Sequence, residues 1–251
     1  MTAKNVVFIK VHKCSSTSVR VIMEEYTKKK GLKHIERNRK KAKQLRNKKG
    51  LLPWSRSTDD DNNSAWNLDD GLYNISLRHH AYDPSFFEKL IKDPIYVTFL
   101  RDPLDRAISA FYSPDVPPHG QKLEFKKWYK TNVDFLNTKP QVNSCCVLTN
   151  NFMSYMLGYD LLDEITVENL EKRYAFVGLT EHFDESIKSM ANNLGWDLSS
   201  RRPNIRKNPG KPEIELPQDF IDTFQQNNKL DYKLYETAKQ IFEKNKGHNL
   251  G

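Results

Sequence analysis

Asn5-Val-Val-Phe-Ile-Lys10, followed by Val11-His-Lys-Cys-Ser-Ser-Thr-Ser18, is the stretch that decides the fold. Its first half is β-branched and apolar without clear alternation, as in a strand covered on both faces of a parallel sheet. Its second half is a polar loop, after which Val19, Ile22, Met23 and Tyr26 recur at helical spacing. A buried strand that passes through a polar loop into an amphipathic helix is the repeating unit of parallel α/β architectures.

The unit recurs along the chain. Ile95-Tyr-Val-Thr-Phe-Leu100 reads as a second buried strand, followed by Arg101-Asp-Pro103 and a helix with Leu104, Ala107, Ile108 and Phe111 on one face. Tyr174-Ala-Phe-Val-Gly178 reads as a third, with an amphipathic helix from about Glu181 to Leu194. Residues Pro217 to Lys244 read as two helices carrying Phe220, Phe224, Leu230, Leu234 and Ile241. The expected class is α/β, a parallel β-sheet flanked by helices, and 251 residues suit one domain over 1–251. Twelve Lys and Arg between Lys28 and Lys49 face one acid, Glu36, and Asp59-Asp-Asp-Asn-Asn-Ser64 follows. These runs predict a basic, flexible insertion at about 31–70 inside the single domain.

The net charge of +8 favours an anionic partner, whether phosphate, sulfate, uronate or nucleic acid. Cys14, Cys145 and Cys146 form neither a disulfide framework nor a CxxC metal site, and the histidines and acids lack metal-ligand spacing. No apolar run is long enough to span a bilayer, and Val6–Ile9 is too short for a signal peptide. The chain as written is therefore expected to be soluble (cytoplasmic), unless it is a fragment of an anchored protein.

In open parallel sheets, ligands bind beyond the carboxyl ends of the strands, where loops lead into helix N-termini. Lys13-Cys-Ser-Ser-Thr-Ser18 offers there an ammonium, hydroxyls and the free amides of a helix start, a set suited to phosphate or sulfate. Helix capping alone needs one such hydroxyl rather than a run of them. The loop is not a Walker A motif, because no glycine occurs between Met1 and Lys30. A nucleotide-triphosphate enzyme is thereby disfavoured.

Phe8-Ile-Lys-Val-His-Lys-Cys-Ser-Ser-Thr-Ser18 resembles the 5'-phosphosulfate loop of Golgi carbohydrate sulfotransferases, with His12 where that loop usually carries proline. Leu100-Arg-Asp-Pro-Leu-Asp-Arg-Ala-Ile-Ser109 resembles their 3'-phosphate motif. Phe176-Val-Gly-Leu-Thr-Glu-His-Phe183, Asn204-Ile-Arg-Lys-Asn-Pro-Gly-Lys211 and Asp231-Tyr-Lys-Leu-Tyr-Glu-Thr-Ala238 extend the likeness in order. The motifs are closest to heparan sulfate and uronyl 2-O-sulfotransferases and also similar to galactose 3-O-sulfotransferases.

The resemblance implies a P-loop-NTPase-like sulfotransferase fold and transfer of a sulfuryl group from PAPS (3'-phosphoadenosine 5'-phosphosulfate) to a glycan hydroxyl, releasing PAP. It implies that Lys13, Cys14, Ser15, Ser16, Thr17, Ser18, Arg101, Ser109, Arg206 and Lys207 bind the donor, with Lys13 also catalytic. It implies a histidine base in Arg78-His-His-Ala-Tyr82, His80 first and His79 second. An anionic or neutral glycan is the expected acceptor, met by the basic segment and by Trp54 or Trp66; neither nucleic acid nor metal is expected. Two alternatives remain, a sulfotransferase of a small alcohol or phenol and a non-enzymatic polyanion-binding protein.

Overall fold

The computed structural model describes residues 5–37, 66–68, 72–113, 124–137, 147–198 and 214–248. The chain begins with β1 (Val6–Ile9), α1 (Ser16–Lys29), β2 (Glu36–Arg37), β3 (Trp66–Asn67) and β4 (Ile75–Ser76). There follow α2 (Pro84–Leu90), β5 (Ile95–Leu100), α3 (Pro103–Phe111), α4 (Phe125–Thr131), α5 (Val133–Leu136) and α6 (Phe152–Leu157). It closes with α7 (Val167–Arg173), β6 (Phe176–Leu179), α8 (Phe183–Leu194), α9 (Gln218–Asn227) and α10 (Lys229–His248).

The central sheet is parallel throughout, in the order β4-β1-β5-β6. Val6 of β1 lies opposite Ile75 on one side and Ile95 on the other, and the β5–β6 register runs from Val97↔Phe176 to Leu100↔Leu179. Alternation sorts the side chains into two cores. Val7 and Ile9 join Tyr96 and Leu100 against Phe87 of α2, Ala107 and Phe111 of α3, Phe152 of α6 and Leu234 of α10. Val6 and Phe8 join Val97 and Phe99 against Val19, Ile22 and Met23 of α1 and Met190 and Leu194 of α8. The α/β class and the flanking helices thus stand as the sequence implies.

Local chemistry starts and stops the helices. Asp83 and Asp102 cap α2 and α3 by accepting from Phe86 N and Asp105 N, and each is followed by a proline whose fixed φ suits the first helical turn. Gly158 and Gly195 end α6 and α8 in the left-handed conformation, at φ 83° and 66°.

Three differences from the sequence reading have physical causes. β4 is two residues long and shows no periodicity, yet its pairing with β1 fixes the exit of the chain toward His79. The third strand begins at Phe176 rather than Tyr174, because Tyr174 caps α7 and Ala175 N already bonds to Tyr96 O. The first residues of the stretch expected to be an insertion are tied to the sheet: Ile35 is buried and its amide donates to Ile75 O, and β2 pairs antiparallel with β3. Residues 38–65 and 69–71, with Trp54, and also Cys145 and Cys146, lie outside the described residues.

Gly178 sits directly opposite Phe99 in the β5–β6 register, and a Cβ there would fall 2.6 Å from the Phe99 ring. The ring covers the bare backbone of the edge strand and is itself fully buried. Gly178→Ala is expected to destabilise the protein by about 1–3 kcal/mol, since overpacking exceeds the smaller gain from a stiffer unfolded chain. Adding Phe99→Leu should recover part of that loss, giving a favourable coupling in a double-mutant cycle read by urea denaturation.

Candidate active site

Because all four strands run the same way, their carboxyl ends open at one edge, and hydrogen bonds tie the exit loops together there. Thr180 N donates to Leu100 O at 2.8 Å, and Asp102 N donates to the Glu181 carboxylate at 3.0 Å. Arg101 Nη1 reaches Lys13 O at 3.4 Å, and the His79 ring meets Lys10 O at 2.8 Å. The exits of β4, β1, β5 and β6 therefore form one continuous rim.

The loop after β1 holds two non-glycine residues in the left-handed region, Lys13 at φ 69° and Ser15 at φ 50°. Such conformations cost on the order of 1–3 kcal/mol each and cluster at functional sites. Ser15 makes no side-chain capping bond; only its carbonyl accepts, from Ser18 N and Val19 N. The amides of Ser16 and Thr17 precede those first helical bonds, at the positive end of α1. Ser16 is buried, Ser18 half-buried and Thr17 exposed, while Lys13 Nζ lies 3.3 Å from Ser113 Oγ. Cys14 differs from its neighbours. Its side chain is wholly buried, with Sγ 3.9 Å from Met153 Sδ, and burial pushes the thiol up to about 12. The donor contact expected of Cys14 is therefore confined to its backbone.

Arg101 leaves the end of β5, ion-paired with Asp105 at 3.7 Å while it bridges to the Lys13 carbonyl. Ser109, two turns along α3, is 8% exposed. Burial holds the Asp102 carboxyl above its ordinary range, against the bond it accepts from the Asp105 amide. Arg106 was not foreseen: it is 1% exposed, donates to Val147 O at 2.7 Å and lies over the Phe152 ring. Its place is a packing site inside the larger core, which the charge of its side chain conceals in the sequence. Arg206 and Lys207 lie outside the described residues.

The two histidines after β4 are placed very differently. His80 is 3% exposed, stacked on Phe86 at 4.8 Å and edge-on to Phe87, and its Nδ1 donates to Ala81 O. Burial holds its pKa below the ordinary value, while the Ala81 carbonyl and Asp83 pull the other way. His79 is half-buried on the rim. A carbonyl can only accept, so Nδ1 of His79 carries the proton toward Lys10 O and Nε2 is the acceptor nitrogen. Its ring stacks on His12 at 3.7 Å, and His12 in turn stands edge-on to Phe152 at 5.8 Å. Of the two expected bases, His80 is thus enclosed by Phe86 and Phe87, and His79 is the one on the rim. His12, which the sequence shows only as a substitute for proline, is the neighbour that fixes the His79 ring.

A parallel sheet whose strand exits carry a lysine–hydroxyl loop, a strand-end arginine and a rim histidine fits an α/β enzyme of the sulfuryl-transfer class. Nearly the whole chain bears this out: residues 1–246 match the family described as Galactose-3-O-sulfotransferase, and the protein belongs to that family of carbohydrate sulfotransferases. No curated protein matches the chain. The family lies on the galactose side of the two likenesses in the motifs, and membership removes the non-enzymatic reading.

His80 also predicts a pH response. Its folded pKa is depressed, so the neutral ring stabilises the fold fully above the unfolded value of about 6.5, and that contribution is lost as pH falls below it. The parent should lose more stability between pH 7.5 and pH 5 than His80→Phe, which stays stacked without titrating. Urea midpoints of both proteins at the two pH values check this, and equal losses would remove His80 as the source.

Proposed function

We propose that the protein transfers the sulfuryl group of PAPS to a hydroxyl of a galactose-containing glycan and releases PAP. The observation that carries this reading is the Arg101–Lys13 carbonyl contact, which joins the two motif loops into one anion-binding face. Lys13 and the amides at the start of α1 hold the 5' phosphosulfate end; Arg101 and Ser109 hold the 3' phosphate. Donor binding then competes with Asp105 for the Arg101 guanidinium, so the ion pair is the resting state of that side chain.

His79 is the base in this reading. Its Nε2 takes the proton of the acceptor hydroxyl, the oxygen forms its bond to sulfur, and the bond between sulfur and the bridging oxygen of the 5' phosphate breaks. Lys13 and the loop amides stabilise the negative charge that develops on the departing oxygen. The His12 ring, stacked on His79 at 3.7 Å, holds the plane of the base. His80 supports the backbone from inside the core.

Calorimetry with PAP and ATP tests the donor site: the parent should bind PAP and be indifferent to ATP, and both Lys13→Ala and Arg101→Ala should weaken PAP. Kinetics test the base. His79→Ala is expected to lower kcat by roughly a hundredfold or more, the scale of general-base catalysis, with PAP affinity nearly unchanged. The acid limb of the parent's kcat profile should vanish with it. His80→Phe should keep kcat within a few-fold at neutral pH. A fully active His79→Ala with its acid limb intact would overturn the assignment.

A further inference from the structure

Lys10 is the last residue before the β1 exit loop, and its side chain projects on the α1 face by the alternation that buries Val6 and Phe8 there. It is only 7% exposed. Among the described residues no hydrogen bond or ion pair holds its ammonium. Around it stand Arg20 of α1 and Arg78 of the β4 exit, whose charges add to burial in lowering the Lys10 pKa to about 8, with Glu24 opposing them. Burial is the largest cause.

The nearby carboxylates are already committed. Glu24 pairs with Arg20 and with Lys28, the latter at 2.9 Å, and Glu36 pairs with Arg78. Four cations thus share two carboxylates, and Lys10 is the one without a counter-ion among the described residues. His34 adds no positive charge at neutral pH, since burial holds its pKa below the ordinary value. A buried ammonium with cations as neighbours is costly unless an anion completes it. A purely structural lysine at this place would be replaced without loss by an apolar side chain of the same length, because β1 is otherwise apolar from Val6 to Ile9.

The place of the cluster says which anion. Lys10 O accepts from His79, and Arg78 precedes His79 in the chain, so the ammonium and the base share one backbone junction. The donor motifs are tied elsewhere along the same loop, where Arg101 reaches the Lys13 carbonyl.

We propose that Lys10, with Arg20 and Arg78 behind it, is an acceptor subsite that takes an anionic group on the glycan, a uronate carboxylate or a sulfate ester next to the sugar being sulfated. The subsite rests on the sulfotransferase reading above and gives the acceptor class that reading leaves open. Lys10 attracts the anion, and the anion in turn keeps the buried lysine protonated. Arg20 and Arg78 stay with their carboxylates and add to the local positive field.

The test uses the full chain loaded with PAP and three matched galactosides: one neutral, one bearing a uronate, one bearing a sulfate ester. Calorimetry on the parent should show at least one acidic galactoside binding about tenfold or more tightly than the neutral one; which of the two it is names the anion. Lys10→Met should remove that preference, raising Kd for the acidic acceptor by about ten- to a hundredfold, the scale of one charge-assisted hydrogen bond. Kd for the neutral acceptor and PAP affinity should hardly move. A parent that binds all three galactosides alike overturns the subsite, and this result needs no variant to fold. So does a Lys10→Met protein whose loss is confined to PAP. Failure of the parent to bind PAP at all would instead remove the donor reading, so the two failures are told apart.

Discussion

Everything at the rim depends on β1 being held from four directions. Val6 and Val7 pair with β4 on one side, all four residues pair with β5 on the other, and their side chains alternate into two separate cores. Burying each of these apolar side chains contributes roughly 1.5–3 kcal/mol. The strand is too short to tolerate a slip: moving it by one residue would turn Val6 and Phe8 out of the α1 core and bring Lys10 into the other one. Its register therefore determines where Lys10, His12 and Lys13 emerge, and through the β1–β4 pairing it also determines where His79 stands.

That anchoring explains how a loop without glycine can hold left-handed residues. Lys13 and Ser15 flank Cys14, whose thiol is locked into the core against Met153. The buried thiol works as a pin: it fixes the chain between two strained residues so that neither can relax without pulling a side chain out of the core. Arg101 adds a second tie at the Lys13 carbonyl. The strain is thus offset by packing behind the loop and by the Arg101 tie at its carbonyl.

Legibility in the sequence followed burial and length. β5 spans six residues, five of them fully enclosed, and its bounds can be read from Ile95 to Leu100 directly. The motif loops were legible because their residue types are unusual after a buried strand. β4 was not, since two residues carry no period; nor were α2, α6 and α7, whose apolar faces are six or seven residues long. The site was half legible for a related reason. Composition names a histidine pair, but adjacent residues on an extended exit face opposite ways, and only the packing of Phe86 and Phe87 decides that His80 turns inward. Arg106 was invisible because a fully buried arginine violates the expectation that charge marks surface.

The same limit applies in reverse to Lys10. In the sequence it reads as the polar end of a strand, one more cation in a chain of net charge +8. In the fold it is largely withdrawn from water, at 7% exposed, and the nearby carboxylates are already paired, Glu24 with Arg20 and Lys28 and Glu36 with Arg78. Burial and like charge both work against its protonation while Glu24 opposes them, and an anion beside the ammonium would add to that opposition. The contrast with Arg106 is one of partners: Arg106 donates to the Val147 carbonyl and lies over the Phe152 ring within the fold, whereas Lys10 has no hydrogen-bond or ion-pair partner among the described residues.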